Sequence, residues 1–419
     1  MEHLRVDEAQ HVILETVATL GRETVTLERS LGRVLAEDIR ANRDLPPYDV
    51  SAMDGYAVRS ADVANVPARL AVIEDIKAGD LPARTVMQGQ CARIMTGAPV
   101  PAGADAVIRV EDTQAASADS VQVNIAVKPG NDIRPQGENM RNGQVVLAAG
   151  TKVTPGAIGV LATVKAARFA VYRRPVVAIL STGNELEGMD EPLDPHRIPD
   201  SNSYALMGQV QALGIEPVLL GIARDDPAEL ERHLRRGLEY DVLLVSGGTS
   251  VGVHDYVRPT IEKLGVAMKF WRVAVRPGHP LAFGGVPKAS QDARGTLVFG
   301  LPGNPVSSMV CFEEFVLPAL RRMMGNPRPY RRTVTARLAH PVKFRPGRTE
   351  FIRVQLARDA AGYVASSTGT QSSGVLMSMA KADGLLVVPA DSHGLAEGEQ
   401  VTVQLLDGTA FQEETGFRV

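Results

Sequence analysis

Cysteine is scarce in this 419-residue chain, which contains only Cys91 and Cys311. No CxxC pair or Cys/His cluster occurs, so a structural zinc site is not expected. So few cysteines are typical of a reducing compartment. The N-terminal segment 1–10 is charged and lacks the apolar core of a signal peptide, and no apolar run is long enough to span a membrane. We therefore expect a cytoplasmic protein without a membrane partner.

An excess of positive charge is also lacking. The formal net charge is -3 at pH 7, which is not typical of proteins that bind nucleic acid. The nucleotide-binding patterns GxGxxG and GxxxxGK(S/T) do not occur either. A dinucleotide-dependent enzyme and a P-loop ATPase are therefore disfavoured.

Aromatic residues make up only 5% of the chain, whereas glycine (39) and proline (27) are plentiful. This composition favours turns and short strands over a helical bundle, and the length is enough for about three domains. Apolar residues at helical spacing predict a helix over 6–20, and short strands follow to about residue 150.

After Arg173 the pattern changes, because strands now alternate with helices as in parallel βαβ units. Beyond a linker at 325–332, short alternating strands return. The sequence therefore predicts a multidomain α/β plus β protein with three parts: an N-terminal region, 1–172, with a β-rich module inserted at about 47–140; an α/β domain with a mostly parallel sheet, 173–326; and a small all-β barrel or sandwich, 327–419.

Three strands of the predicted α/β domain are each followed by a loop of glycine and small polar residues, at 181–185, 246–255 and 301–308. Glycine lets the backbone approach a ligand, and ligands of open parallel sheets bind beyond the carboxyl ends of the strands. One such loop alone is most often an ordinary turn. Three in one domain favour a site for a phosphate or a polar ring.

Carboxylates accompany these loops. Glu185 and Asp255 lie in the first and second loops, and Asp225 precedes a predicted helix. Carboxylates beside an anion site are explained if Mg²⁺ bridges them to phosphate oxygens. For Asp225 a structural alternative is strong, since Asp225-Asp226-Pro227 also fits a helix N-cap.

Positive charge collects around a Pro-Gly turn within 270–284, where Arg272, Arg276 and His279 are close in sequence. These residues fit either a solvated hairpin or a clamp that binds an oxyanion through charged donors. In the N-terminal region, Asp54 precedes a glycine and Thr96 lies in a turn-rich segment, so both also suit purely structural turns.

Nine segments in this order resemble the MoeA family, which includes the E domain of gephyrin: SAMDGYAVR, RIMTGAPVPAGADAVI, GENMRNG, LSTGNEL, DSNSYAL, RDD, VSGGTSVGVHDY, VRPGHPLAFG and LPGNPVS. The resemblance extends from residue 1 into the C-terminal β region, and SAMDGYAV with LPGNPVS is highly specific as a pair. It implies an elongated homodimer with a central α/β domain like that of the MogA/MoaB family. The cleft would lie between this domain and the Asp54-bearing module of the other subunit.

The resemblance also implies a reaction and its participants. The substrate would be adenylylated molybdopterin, whose pyrophosphate link is hydrolysed with a divalent metal, Mg²⁺, and molybdate. AMP and molybdenum cofactor would be released. A contact with the molybdopterin adenylyltransferase is a further partner compatible with this role.

Site residues carry over position by position by resemblance. The catalytic candidates are Asp54, Glu185, Asp225 and Asp255, of which Glu185 and Asp255 would hold the metal. The substrate-binding candidates are Thr96, Asn202, Ser246, Gly247, Gly248, Ser250, Pro302 and Pro305. The molybdate-binding candidates are Arg272, Arg276, His279, Arg348, Arg353, Ser372 and Ser373. The chain departs from the family in two respects: lysine is often found at 272, 276 and 279, and some members carry aspartate at Asn139.

Three alternatives share much of this pattern. A gephyrin-like scaffold would keep the fold and bind other proteins, but the presence of Asp54, Glu185 and Asp255 favours catalysis. A molybdopterin adenylyltransferase uses a related α/β domain, but the flanking β modules favour the transferase. A tungstate-handling paralogue would have the same sequence features, because the two oxyanions are nearly equal in size.

Overall fold

The computed structural model describes residues 3–117, 119–248, 256–286 and 295–406. Two compact units are present. One comprises Met1–Glu23, Gly32–Ala36 and Ala170–Val419, and the other comprises Thr24–Leu31 and Glu37–Phe169. The domain boundaries predicted from the sequence stay predictions, because the division into two units does not test them.

Eight α-helices are found in the described part of the chain: α1 Val6–Thr16, α2 Pro155–Thr163, α3 Ser201–Gln211, α4 Pro227–Gly237, α5 Val257–Lys263, α6 Pro305–Cys311, α7 Leu317–Met323 and α8 Met377–Ala380. Short 3₁₀ turns occupy Leu27–Arg29, Ser60–Val63 and Val110–Asp112, and a π-helical turn, Phe312–Val316, joins α6 to α7. No helix among the described residues is long and apolar enough to cross a membrane.

The strands, in chain order, are as follows: β1 Arg22–Thr26, β2 Ile39–Arg40, β3 Val50–Ser51, β4 Gly55–Val58, β5 Ala68–Ile76, β6 Gln90–Ile94, β7 Ala106–Arg109, β8 Thr113–Ser117, β9 Ser120–Val123, β10 Ile133–Arg134, β11 Val145–Leu147, β12 Arg168–Tyr172, β13 Val177–Thr182, β14 Leu186–Glu187, β15 Ile198–Pro199, β16 Val218–Ala223, β17 Val242–Ser246, β18 Ala267–Phe270, β19 Val275–Arg276, β20 Ala282–Val286, β21 Thr296–Leu301, β22 Thr333–Leu338, β23 Thr349–Asp359, β24 Gly362–Ser367, β25 Gly384–Val388 and β26 Gln400–Leu405.

The first helix is shorter than its apolar spacing predicts. It ends at Thr16, and Val17 adopts an extended conformation with its side chain buried. The N–H of Leu20 then donates to the carbonyl of Met323, 2.8 Å away. This contact from a distant helix fixes the last apolar residue outside α1, so the predicted end at residue 20 is wrong.

The second unit is built on a six-stranded sheet with the order β7-β4-β6-β5-β9-β8. Gly55 opens β4 against Ile108 of β7, and a Cβ at this glycine would lie 1.9 Å from the Ile108 carbonyl oxygen. Only glycine permits that approach. Asp54 is thereby placed at the beginning of a central strand of the sheet.

The α/β part of the first unit has a sheet with the order β16-β13-β17-β21-β20-β18. Strands β16, β13, β17 and β21 are parallel; β20 pairs antiparallel with β21, and β18 pairs antiparallel with β20. Alternate residues of the parallel strands face two cores, one shared with α3 and α6 and the other with α4 and α5. Burial on both faces explains the nearly continuous apolar runs in these strands. The predicted mostly parallel sheet is confirmed.

The C-terminal strands form a barrel, which decides between the two predicted alternatives. The order β23-β24-β22-β26-β25 closes because β25 also pairs with β23. The short strand β19 adds to β23 in parallel register, with Val275 opposite Thr349 and Arg276 opposite Glu350. This pairing joins the turn at 275–280 of the α/β part to the barrel.

Candidate active site

The three strand-end loops predicted from the sequence meet at one edge of the parallel sheet. Strands β13, β17 and β21 are neighbours, and Ser246 is in register with both Ser181 and Leu301. The N–H of Gly247 donates to the Leu301 carbonyl at 3.1 Å. Since ligands of such sheets bind beyond the carboxyl ends of the strands, this edge is the candidate substrate site.

Asn202, in the first turn of α3, links two of these loops. Its side-chain amide donates to the Ser246 hydroxyl at 2.8 Å and to the Gly303 carbonyl at 2.7 Å. The N-cap of α3 is Asp200, which accepts hydrogen bonds from Ser181 and from the Ser203 N–H. The predicted residues Asn202 and Ser246 therefore lie together, with Pro302 and Pro305 on either side of Gly303 in the sequence.

Gly247 and Gly248 are required by the packing of the middle loop. Both have positive φ angles, +93° and +61°. A Cβ at Gly247 would lie 2.6 Å from the Thr182 carbonyl oxygen, and one at Gly248 would lie 2.2 Å from Val257 Cγ2. The buried hydroxyl of Thr182 faces both glycines and has no hydrogen-bond partner among the described residues. A bound ligand could satisfy this hydroxyl, because buried polar groups normally have a partner.

The second half of the middle loop falls outside the described residues. Ser250 and Asp255, predicted from the sequence to bind substrate and metal, lie there. Their assignments stay predictions.

The loop that bears Glu185 is held by the chain segment before α4. The Asn184 N–H donates to Asp225 Oδ2 at 3.3 Å, and the Asp225 N–H donates to Asn184 Oδ1 at 3.1 Å. Arg224 adds a bond of 2.6 Å to the Leu186 carbonyl. The helix cap itself is Asp226, which accepts the Glu229 N–H at 2.8 Å. Asp225 is therefore not the cap, and its carboxylate is exposed at the Glu185 loop.

Asp54 and Thr96, which the sequence analysis treats separately, lie together in the second unit. Asp54 is exposed, and its Oδ1 accepts both the Thr96 N–H at 2.7 Å and the Thr96 hydroxyl at 2.8 Å. These two bonds, with the nearby charge of Arg93, hold the pKa of Asp54 below its usual range. Asp54 is therefore ionised at neutral pH.

A cavity of about 500 Å³ lies between the turn at 275–280, the start of α6 and the barrel. Five of the predicted molybdate residues line it: Arg276, His279, Arg348, Ser372 and Ser373. Hydroxyls and cations around one cavity form a suitable site for an oxyanion. We call this cavity the oxyanion pocket.

The sequence analysis missed several residues of the oxyanion pocket. Ser307 and Gln371 line it with the predicted five. Ser307 belongs to the LPGNPVS segment and could have been found there, whereas nothing local in the sequence distinguishes Gln371. Glu350 lies opposite Arg276 in the strand pairing. Its carboxylate forms an ion pair with the guanidinium of Arg276 at 3.1 Å. This pair holds Arg276 at the pocket.

Two predicted molybdate residues are not among the residues that line the pocket. Arg272 is exposed on the segment before β19. Arg353 is only 1% exposed, and its guanidinium donates to the carbonyl of Ser372, which does line the pocket. Arg353 therefore lies behind the pocket wall.

His279 is the third basic residue of the turn. Its Nδ1 lies 2.7 Å from the Val273 carbonyl, which makes Nδ1 the protonated nitrogen, and its ring is 4.6 Å from that of His3. Partial burial, together with the nearby charges of Arg348, His3 and Arg272, lowers the pKa of His279, although the bond to Val273 opposes the shift. Without a bound anion, His279 is therefore neutral at pH 7.

Comparisons with known proteins identify the family of the chain. Three family models match consecutive parts of the chain: the MoeA N-terminal region (domain I and II) at 4–164, the probable molybdopterin binding domain at 178–322, and the MoeA C-terminal region (domain IV) at 335–406. Molybdopterin molybdenumtransferase 2 of Mycobacterium tuberculosis is 38% identical over 408 residues, which cover 95% of this chain and 98% of the relative. The chain belongs to the MoeA family of molybdopterin molybdenumtransferases.

Further relatives agree with this assignment. The molybdopterin molybdenumtransferase of Bacillus subtilis is 34% identical over 419 residues, covering 98% of this chain and 95% of the relative. The crystal structure of the MoeA protein from Pyrococcus horikoshii OT3 matches with a TM-score of 0.83 at 31% identity, covering 96% of this chain and 100% of that one. The predicted family, enzyme class and role in molybdenum cofactor biosynthesis are thereby confirmed.

Proposed function

We propose that the chain inserts molybdate into adenylylated molybdopterin and hydrolyses its pyrophosphate link, releasing AMP and molybdenum cofactor. The observation that carries this proposal is the position of the oxyanion pocket. Its residue Ser307 lies in the first turn of α6, and α6 begins at Pro305 of a strand-end loop. An oxyanion site and a site for a phosphorylated ligand thus adjoin the same helix terminus, as the transfer between them requires.

Separate groups serve the two parts of the substrate site. At the sheet edge, the pterin nucleotide would meet neutral hydrogen-bonding side chains, those of Asn202 and Ser246. It could also approach the backbone closely at Gly247 and Gly248, which have no side chain. In the pocket, Arg276 and Arg348 supply charge, and the hydroxyls of Ser307, Ser372 and Ser373 supply further donors to molybdate. We extend the proposal to a homodimer.

Glu185, one of the two residues that the resemblance assigns to Mg²⁺, is suited to such an ion. Glu185 is an exposed carboxylate at the carboxyl end of β13, with Asp225 held at the same loop. No cluster of three or more His, Cys, Asp or Glu side chains suited to a metal occurs in the part of the chain that the structure describes. Mg²⁺ does not need one, since it usually takes one or two carboxylates together with substrate phosphates. When bound, the ion would neutralise charge on the phosphate oxygens.

The first prediction tests the reaction and the metal together. Incubation with adenylylated molybdopterin, Mg²⁺ and molybdate should release AMP, and a chelator should lower that rate at least about tenfold until Mg²⁺ is restored. Glu185→Gln should raise the Mg²⁺ concentration required, because a charged ligand becomes neutral. Glu187→Gln is a poor control because Glu187 is buried, so the exposed Glu191→Gln serves instead.

Four results would contradict this first prediction. Full turnover in excess chelator would exclude the metal. An unchanged Mg²⁺ requirement in the Glu185 variant would exclude that residue as a ligand. Formation of the adenylylated pterin from ATP, without AMP release, would favour an adenylyltransferase, and no turnover of either kind would favour a scaffold. Replacement of molybdate by tungstate in the same assay shows which oxyanion is preferred.

The second prediction concerns pH. A dianion in the pocket favours protonated His279, whose pKa is lowered in the unliganded protein, so affinity should rise as pH falls from about 8 to about 5.5. Sulfate is a suitable probe, because it stays a dianion throughout. Calorimetric titration of His279→Lys should show little pH dependence, since lysine stays charged over this range.

His3→Gln is the control for the pH experiment, because His3 contacts His279 but is not among the pocket-lining residues. The His3→Gln variant should keep most of the dependence of sulfate affinity on pH. An equal slope in the parent protein and the His279→Lys variant would mean that His279 does not take up the proton.

A further inference from the structure

Arg353 is an unusual residue for the interior of a barrel wall. Its side chain is 1% exposed, and its guanidinium donates to three neutral acceptors: the Ser372 carbonyl at 3.3 Å, the Ser378 hydroxyl at 3.2 Å and the Phe351 carbonyl at 3.4 Å. No carboxylate within the described ranges forms an ion pair with it. The negative charge of Glu350 acts on the guanidinium, but Glu350 is paired with Arg276. Burial of a cation without an ion-pair partner of its own is costly, so a structural reason for this arrangement is expected.

The backbone of Arg353 is held as firmly as its side chain. Gln371 Oε1 accepts the Arg353 N–H at 2.9 Å, and Gln371 Nε2 donates to the Arg353 carbonyl at 3.1 Å. The side-chain amide of Gln371 thus makes the two hydrogen bonds to the Arg353 backbone that a neighbouring strand would otherwise make. Together with the guanidinium bond to Ser372, these contacts fix the segment 371–373 from behind.

The same segment also contacts helix α6. The N–H of Val306 donates to the Ser373 carbonyl at 3.1 Å. Gln371, Ser372 and Ser373 line the pocket from one side, and Ser307 lines it from the helix. The position of the pocket wall relative to α6 therefore depends on the segment that Arg353 holds.

We propose that Arg353 is a positioning residue for the transfer reaction, which holds 371–373 against the first turn of α6 and so shapes the oxyanion pocket without touching the oxyanion. This inference rests on the proposed function of the pocket. It depends on the geometry of the guanidinium fork, because a lysine ammonium is a compact point charge on a flexible stem and cannot reproduce the planar fork that meets these acceptors.

The test compares substitutions that keep charge with substitutions that remove it. Arg353→Lys and Arg353→Gln should both weaken molybdate binding by roughly tenfold or more, the usual range for bonds to a charged group. The rate at saturating molybdate should stay within about twofold, because the effect is on ground-state binding. Arg348 lines the pocket, so Arg348→Lys should retain far more affinity for molybdate than Arg348→Gln.

Molybdate titration by calorimetry, with the full chain and without pterin, provides the first readout. The split between kcat and KM for molybdate provides the second. Arg358→Lys, at an exposed position of the same strand, is the matched control and should bind molybdate normally. Ser378→Ala removes one acceptor but leaves Arg353 in place, so it should weaken binding roughly threefold even if the Arg353 variants fail to fold.

The outcomes separate this inference from the function on which it rests. If the parent chain binds no molybdate, or if Arg348→Gln binds it normally, the proposed role of the pocket fails. If the pocket binds molybdate, and Arg353→Lys and Ser378→Ala both bind as the parent does, Arg353 is not a positioning residue. A loss in Arg353→Gln that Arg353→Lys fully restores would show that charge alone is required, which also overturns the proposal.

Discussion

Replacement of Asp54 by asparagine should lower the rate of AMP release by about 10²–10⁴-fold, the usual effect of removing a general base. The fold of its unit should survive. Asparagine keeps an oxygen for the Thr96 N–H and hydroxyl, which both bond to Oδ1. The backbone contact from the Val110 N–H to the Asp54 carbonyl is unaffected by the side chain. Only the negative charge and the second carboxylate oxygen are lost.

The geometry of Asp54 suits a role in proton transfer. Its Oδ2 accepts no hydrogen bond from any residue that the structure describes. The bonds to Oδ1 lower the pKa of Asp54, so the carboxylate is charged and Oδ2 can orient a water or take its proton. On the structural alternative Asp54 only braces the turn with Thr96, and asparagine would then leave the rate nearly unchanged.

Asp105 offers a matched control in the same unit. Like Asp54, it accepts a backbone N–H and a hydroxyl from one residue, Ser60. Asp105→Asn should therefore affect stability slightly and the rate not at all. Equal rates for the Asp54 and Asp105 variants, with both proteins folded, would remove Asp54 from the catalytic residues.

A mixing experiment extends the Asp54 test to the proposed homodimer. Asp54→Ala and Glu185→Ala proteins, each nearly inactive, are mixed under subunit exchange. If each active site takes Asp54 from one subunit and Glu185 from the other, one site of every heterodimer is intact and part of the activity returns. No recovery, with heterodimers demonstrated, would place both residues in the same subunit's site.

The parallel sheet was predictable because its signal is local. Strands β13, β17 and β21 are apolar on both faces, and a loop rich in glycine and small polar residues lies at the carboxyl end of each, so their type and their ligand-binding ends can be inferred from the sequence. Closure of the barrel was not predictable, because it depends on the pairing of β23 with β25, about 30 residues apart. The sequence therefore left barrel and sandwich open.

The candidate site shows the same limit. Asn202 and Ser246 were named from motifs, but their hydrogen bond joins residues 44 positions apart. Asp225 and Asp226 could not be distinguished by sequence, since either can cap α4, and only the bond to the Glu229 N–H assigns the cap. The resemblance groups Arg353 with the molybdate residues, and nothing in the sequence indicates that its side chain is buried.

The helical segment formed by α6, the π-helical turn and α7 contains a feature that is not evident from its sequence. Its π-helical turn buries two adjacent glutamates, Glu313 and Glu314. Glu313 accepts Arg331 Nε at 2.6 Å and Gln209 at 2.7 Å. Among the residues that the structure describes, the Glu314 carboxylate accepts hydrogen bonds only from neutral amides, those of Gln404 at 2.8 Å and Gln10 at 3.5 Å. Two neighbouring carboxylates therefore have different electrostatic surroundings.

These surroundings predict opposite effects of the same substitution. Burial raises the pKa of Glu314 to about 8, with a further contribution from Glu313 and opposing ones from Gln404 and Arg331. The folded protein then binds a proton that the unfolded chain has released, so stability falls as pH rises from the ordinary glutamate pKa to about 8. Glu314→Gln removes this penalty, which at about 1.4 kcal/mol per pH unit between the ordinary glutamate pKa and about 8 amounts to roughly 4–5 kcal/mol at pH 8.

Glu313→Gln should instead destabilise by about 1–3 kcal/mol, since it leaves the largely buried guanidinium of Arg331 facing a neutral amide. Thermal melting of both variants from about pH 5 to about pH 8 provides the measurement. The gain of Glu314→Gln over the parent should grow through this window and be smallest at its acid end, where the pH is close to the ordinary glutamate pKa and the two states differ least in bound protons. A gain that is constant with pH, or a loss in both variants, would show that Glu314 is charged in the folded protein and that its neighbours stabilise the carboxylate.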